Sequence, residues 1–412
     1  MMSEIYRKVG NGLWVLFLCY LFTISSFAQI TTGQLTGEIN TIQSAVPFLT
    51  LTPDSRAGAM GDVGVATSPD VNSQHWNIAK YAFIESEGGI ALSYTPWLRN
   101  LIPDINLAYL TGFKRIDDQQ VISASLRYFS LGNIVFTNIE GTTQGEYNPN
   151  EFALDAGYSR LFGENISGGI AFRFIRSDLT SGQTVLGTDT KAGISVAADL
   201  NAYYTRDLEL SGRDANLAFG INFSNMGRKI SYSENQEPSY IPINLRLGSC
   251  FLTNIDEYNS IAFSIDLNKL LVPTPPVYFD DSLDANGEKV IKHGKDPNVS
   301  VPVGMFRSFY DAPGVERTDG TRSVFLEEIH ELTYSFGIEY WYRKQFAIRA
   351  GYFREHETKG NRKYYTMGIG LQLNVFSLDF AYLVPAYHNN PLANTVRFTL
   401  GFDFDRMTGS KQ

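Results

Sequence analysis

From Gly88 to Phe404 apolar residues recur at every second position, in segments of about ten residues. Ile90, Leu92 and Tyr94 open the series. Ile105, Leu107 and Tyr109 alternate with Asn106, Ala108 and Leu110, and Ile122, Ala124, Leu126 and Tyr128 follow. In the second half the pattern runs through Ile243, Leu245 and Leu247, through Ile261, Phe263 and Ile265, and ends at Val396, Phe398, Leu400, Phe402 and Phe404. A period of two is that of a strand with one apolar face. About fourteen such segments can be counted, an even number as in single-chain bacterial barrels. The alternate positions are polar or small, and include Asp155, Arg173, Asp199, Asn222, Arg246, Asp266, Glu339, Arg349, Asp379 and Arg397. A soluble sandwich buries its apolar face, whereas a membrane barrel turns that face to lipid and its charges to the lumen. Alternation alone does not choose between them.

The signal peptide, the strand count and the aromatic content, with 23 Tyr and 28 Phe, favour the membrane barrel, and the connections add an independent test. If the first strand rises from the periplasm, the odd-numbered connections are extracellular: 97–104, 131–150, 177–191, 226–242, 269–331, 354–363 and 384–395. The even-numbered ones, 114–120, 163–167, 206–216, 253–259, 343–345 and Val375, are shorter in nearly every neighbouring pair. Short periplasmic turns and long outer loops are the rule for such barrels. Arg206–Asn216 fits least well. These signals predict an all-β transmembrane protein, an antiparallel outer-membrane β-barrel of about 14 strands with an N-terminal plug. Lys269–Glu331 is long enough to carry a function of its own.

The N-terminus agrees with export. Arg7 and Lys8 precede the apolar run Leu13–Phe22, and Ser26-Phe27-Ala28 forms a small-x-small cleavage site, so residues 1–28 read as a signal peptide. The run is too short to span a bilayer as a helix. Cleavage there removes Arg7, Lys8 and Glu4, which takes the formal charge from −9 to about −10. An acidic exported chain is a poor partner for nucleic acid. Only Cys250 remains, so no disulfide framework or cysteine metal site is expected. Mean hydropathy is −0.14, against a helical membrane protein. The chain ends Phe402-Asp403-Phe404 before a short tail, 405–412, and an aromatic-x-aromatic ending resembles an insertion signal of outer-membrane proteins.

Between signal and strands lies 29–87, the predicted plug. Its stretch Ser55–Ala82 is rich in small residues, among them Gly58, Gly61 and Gly64, followed by Asp70, Trp76 and Asn77. Such a piece folds tightly inside something else. The barrel proper is 88–404. Its inward charges Asp155, Arg173, Asp199, Arg246, Asp266, Glu339 and Arg349 either line a channel for a polar solute or brace the interior by salt bridges, and the mixed signs favour bracing. Cys250 is expected inward beside Arg246, and Gly337, Gly368 and Gly370 to relieve crowding. Tyr232, Tyr240, Phe306, Phe309, Tyr310, Phe325 and Tyr387 are candidate partner-binding loop residues; they either pack the loops together or form a docking surface.

Chemistry-bearing motifs are scarce. GxSxG, HExxH and phosphate-binding loops are missing from the sequence. His75, His293, His330, His356 and His388 are scattered, and Glu327-Glu328-x-His330 reads as a solvated acidic loop before it reads as a site. No cofactor, no metal and no enzymatic activity are expected.

The element Gly58, Gly61, Asp70, Trp76, Asn77 and Ala79 resembles the N-terminal region of FadL-type outer-membrane barrels, with Ile78 where that family has proline. Within that superfamily, Gly33–Asp70, Asn77–Tyr81 and Tyr382–Phe404, with Tyr387-His388-Asn389-Asn390, resemble the PorV family of the type IX secretion system. The resemblance implies a fourteen-strand plugged barrel that acts as a carrier. It implies docking on a large translocon barrel (SprA/Sov-like), binding of secreted cargo through a C-terminal β-domain, and transfer to a sortase-like attachment protein (PorU-like), all within outer-membrane lipid. Edge-strand pairing is one way to hold a β-domain. Two other classes stay open. A FadL-like uptake channel for hydrophobic molecules predicts an apolar pocket beside the plug, and an outer-membrane lipopolysaccharide-modifying hydrolase predicts a Ser/His/acid cluster.

Overall fold

The computed structural model describes residues 39–98, 104–137, 142–180, 182, 184–185, 188–234, 237–283, 287, 289–317, 319–373, 375–387 and 392–404. Fourteen antiparallel strands close into one barrel. They are β1 Gly88–Pro96, β2 Ile105–Arg115, β3 Gln120–Leu131, β4 Asn150–Leu161, β5 Ile166–Asp178, β6 Gly193–Leu210 and β7 Arg213–Gly227. The second half is β8 Asn244–Asn254, β9 Asn259–Leu270, β10 Thr333–Tyr342, β11 Phe346–Arg354, β12 Lys363–Gln372, β13 Phe376–Pro385 and β14 Val396–Asp403. The first strand closes on the last, with Leu92 opposite Leu400. Closure leaves no strand edge unpaired, the condition for a sheet to lie in lipid.

The apolar face points outward. Ile90, Leu92, Leu154, Phe172, Ile194, Val196 and Ile348 are all exposed, while the alternate residues are buried. An apolar belt this continuous is unfavourable in water and suits a bilayer.

Two features differ from the sequence pattern. In β2, Ile105, Leu107 and Tyr109 are buried and Leu110 is exposed, so the named apolar set faces the lumen. The lumen there is not wet: Leu107 joins Phe48, Leu49, Phe129, Ile175 and Ile230 in an apolar cluster. Ile243 belongs to that cluster too and precedes β8 instead of lying within it. The second difference concerns Arg206–Asn216. β6 and β7 continue through it to a two-residue turn, pairing Leu210 with Arg213. Ser211 and Gly212 take φ of 55° and 74°, the left-handed pair of a tight hairpin turn. The poorest fit to the short-turn rule is thus a minimal turn on two long strands.

Residues 39–87 thread the lumen. Asn40 N donates to Thr358 O at 3.0 Å and Ala45 N to Tyr240 O at 2.8 Å, which holds the beginning of this segment among the long loops. It then passes a 3-10 turn at Pro47–Thr50, helices α1 Ser55–Gly58 and α2 Ser73–Trp76, and a 3-10 segment Ile78–Phe83. Ser167 Oγ, at the short-turn end of β5, donates to Ala79 O at 2.6 Å. The chain therefore runs down the barrel from loop end to turn end and then folds back as β1.

Candidate functional site

The lumen segment is fixed by charge as well as by packing. Arg56 makes a fork to Glu339 at 2.9 and 2.8 Å and reaches Asp70 at 2.9 Å. Glu339 also receives Arg349, whose other end meets Asp379 at 2.6 Å. Asp54 caps α1 through Ala57 N and accepts Trp76 Nε1 at 2.7 Å. Asn77 Nδ2 donates to Val65 O and to Ala202 O of β6, and its side-chain Oδ1 accepts from Ala79 N. Asp266 of β9 accepts Gly64 N at 2.8 Å and Val65 N at 3.0 Å, and Lys80 Nζ donates to Gly64 O at 2.8 Å.

The glycines act through space. Gly61 has φ +69° and lies on Gly351 of β11, where an added Cβ would come within 2.1 Å of Gly61 N. Gly58 lies under Arg397 and Gly64 under the Trp76 ring. Gly337 and Gly368 each face lumen-segment atoms, Met60 and Ala59. Cys250 packs against Ala66 and Ala79. Four residues along one strand is about 13 Å, so it does not sit beside Arg246.

The other lumen charges gather in a second knot. Arg173 meets Asp155 at 2.6 Å and Asp199 at 3.1 Å. Its remaining nitrogen donates to Asn225, a left-handed residue that also donates its N–H to Asp199 at 2.7 Å beside a register shift between β6 and β7. Arg246 is different. It lies over Trp76 at 4.9 Å and pairs with no carboxylate among the described residues.

The long loop is a folded body. It carries the hairpin Val277–Leu283 with Lys289–His293 and helices α3 Val301–Arg307 and α4 Val324–His330. A buried ionic clasp roots it. Lys269 binds Glu328 at 2.9 Å and Glu331 at 2.7 Å, while Lys359 binds Glu327 at 2.6 Å and Glu331 at 3.1 Å. Thr274 and Asn40 donate to the same carboxylates. This corrects the reading of Glu327-Glu328-x-His330 as a solvated acidic loop: Glu327 and Glu328 are buried on Lys359 and Lys269, a pairing the sequence does not show because it needs α4 to fold back.

Of the loop aromatics, Tyr232 donates to Ser177 Oγ at 2.9 Å and Tyr240 to Val299 O at 2.6 Å, so both pack loops together. Tyr387 is half-buried beside Lys363, and His388–Asn390 lie outside the described residues. Phe306 and Phe325 are 75% and 76% exposed, with Phe309 and Tyr310 about half exposed. All four are exposed side chains of the loop, with Lys269 over the Phe309 ring and Lys295 over that of Tyr310.

A cavity of about 470 Å³ lies between the plug and the barrel wall of β8 to β12, with only the two ends of the long loop, Leu270 and Glu331, reaching it. Ile42, Pro47, Trp76, Leu270 and Phe353 supply its apolar wall, and Asp62, Arg246, Glu331, Glu355, Lys359 and Arg362 its charges.

A family model described as type IX secretion system protein PorV matches residues 34–277, more than half of the chain. The chain belongs to the PorV family. The barrel and this membership put it in the outer membrane. No curated protein sequence matches it. Among solved structures it is similar to the Pseudomonas putida toluene transporter TodX, at 10% identity and a TM-score of 0.45 over 89% of this chain and 99% of that one. A Pseudomonas aeruginosa FadL homologue matches at 10% identity and a TM-score of 0.42, again over 89% and 99%. LpxR from Salmonella typhimurium matches at 6% identity and 0.32, over 77% and 100%. Likenesses this distant carry nothing about substrate.

Proposed function

We propose that this chain is the outer-membrane carrier of a type IX secretion system, exported by cleavage after Ala28. In this reading the lipid-facing wall docks on the large translocon barrel. The long loop receives the C-terminal β-domain of secreted cargo and presents it to the sortase-like attachment protein. Family membership supports the system. The observation that carries the role is the exposure of the aromatic side chains Phe306, Phe309, Tyr310 and Phe325 on a loop rooted by the clasp. Exposed aromatics on a rigid support are what a protein partner buries. Phe306→Ser with Phe325→Ser is expected to reduce cargo co-purification at least tenfold while translocon co-purification stays unchanged. Unchanged cargo recovery rejects this loop as the receptor.

The uptake reading is less well supported. It asks for an apolar pocket, whereas the cavity beside the plug carries six charged side chains. The hydrolase reading finds no support at three of the described histidines: His75 lies between two guanidiniums, and His330 stacks on His356.

A further inference from the structure

Among the described residues, Arg246 is the one cation on the cavity wall without a carboxylate partner. Every other charge there has its partner: Glu331 has Lys359 at 3.1 Å, Glu355 has Arg362 at 2.8 Å, and Asp62 has the Tyr364 hydroxyl and Arg397. The Arg246 Nε donates to Asn244 Oδ1 at 3.0 Å once that amide is turned to satisfy both its ends. Its face is covered by Trp76. Its terminal nitrogens are what remain.

Their nearest neighbour is His75, with Nε2 at 3.4 Å from Nη1. A neutral imidazole has one acceptor nitrogen and one N–H. Arg127 takes the acceptor, since its Nη2 lies 2.6 Å from His75 Nδ1. The proton is then on Nε2, and a donor faces the donor of Arg246. The imidazole cannot relieve this by charging, because it already lies between two guanidiniums. The carboxylates of Asp62, Asp199 and Asp266 act on Arg246 through space without pairing with it. A guanidinium 6% exposed in its residue, with free N–H groups at a polar cavity, lacks an acceptor.

We propose that the cavity is a binding site for a small hydrophilic oxyanion, a carboxylate in the first instance, held by the terminal N–H groups of Arg246. The planar fork of arginine matches both oxygens of a carboxylate. The volume admits a small solute, and the charged lining selects against a fatty chain. The idea stands apart from the carrier reading, which concerns the outer surface of the loop.

The test is calorimetric titration of the full-length protein in detergent with succinate, inorganic phosphate and decanoate in separate arms. Succinate is expected to bind, at least tenfold more weakly to Arg246→Met, with Arg246→Lys between. Arg246-dependent phosphate binding in place of succinate supports the oxyanion site and assigns it to the inorganic ion. Mobility of the unheated barrel on gels checks folding. Should the arginine variants fail to fold, Thr333→Trp, which fills the cavity and leaves Arg246 alone, is expected to abolish binding. Binding of decanoate alone, binding that neither Arg246→Met nor Thr333→Trp alters, or no binding of any probe to the wild type overturns the proposal.

Discussion

At Gly351 the wall of the barrel and its filling touch backbone to backbone. A Cβ there would stand 2.1 Å from both Gly61 N and Met60 C, and neither can yield as a flexible side chain does. Gly351→Ala is therefore expected to cost at least about 1–3 kcal/mol, the range for an overpacked core. The midpoint of urea unfolding in detergent, read by unheated gel mobility, measures it. Arg173 makes a complementary case. Its guanidinium serves Asp155, Asp199 and Asn225 at once, so Arg173→Met leaves two buried carboxylates without a cation. Removing one partner from a buried pair costs about 3–5 kcal/mol, more than the pair itself contributes. The same unfolding midpoint should fall further for Arg173→Met than for Arg246→Met, whose arginine holds no carboxylate.

The elements show what could be read from the chain and what could not. Strand number and lipid face follow from period two, because a lipid-facing strand must be apolar at every second residue. That signal loses its meaning where the lumen is also apolar: β2 offers Leu107 and Tyr109 on one side and Leu110 on the other, and only Phe48 and Phe129 decide the phase. Arg246 and Trp76 are likewise unreadable as a pair, being brought together only by closure around the threaded segment. The long loop carries its own pH dependence. His330 and His356 stack at 3.6 Å between α4 and the loop after β11. Burial and His330 push the His356 imidazole down to about 4, and burial and Lys359 lower His330. Glu327 and Glu357 oppose the shift at His330, and Glu357 at His356, where Lys363 and Arg354 add to it. The neutral pair thus adds stability that is full above the ordinary imidazole value of about 6.5 and lost as pH falls towards 4. Asp311 works in the opposite sense. Burial, then Glu328 and Glu331, raises its carboxyl from 3.8 to about 7, so its share is full below 3.8 and lost as pH rises through 7. Protease nicking of the loop across pH 4–8 reads both limbs. Asp311→Asn is expected to slow nicking at pH 8 and His356→Gln to slow it at pH 4.5.

For the whole molecule, the direction of the threaded segment decides what the lumen can be used for. The segment starts among the long loops at Asn40 and leaves at the turn end before Gly88, filling the barrel along its height with Phe48, Met60, Tyr81 and Ile78, all buried. Among the described residues this filling stands in the way of a polypeptide cargo, which favours the loops and the outer wall for the proposed carrier role. The same threading puts Ile39, 67% exposed, on the long-loop side and the Ser211–Gly212 turn on the other. Cys250 is buried, which leaves a cysteine placed elsewhere as the accessible thiol of the barrel. Ile39→Cys is expected to react with a membrane-impermeant maleimide on intact cells, and Ser211→Cys only after the outer membrane is permeabilised. Labelling in the reverse order would put the long loops in the periplasm and remove the basis for reading Phe306 and Phe325 as a cell-surface receptor. Labelling of both on intact cells would mean the barrel admits the reagent past its plug, and the lumen would again be a candidate route.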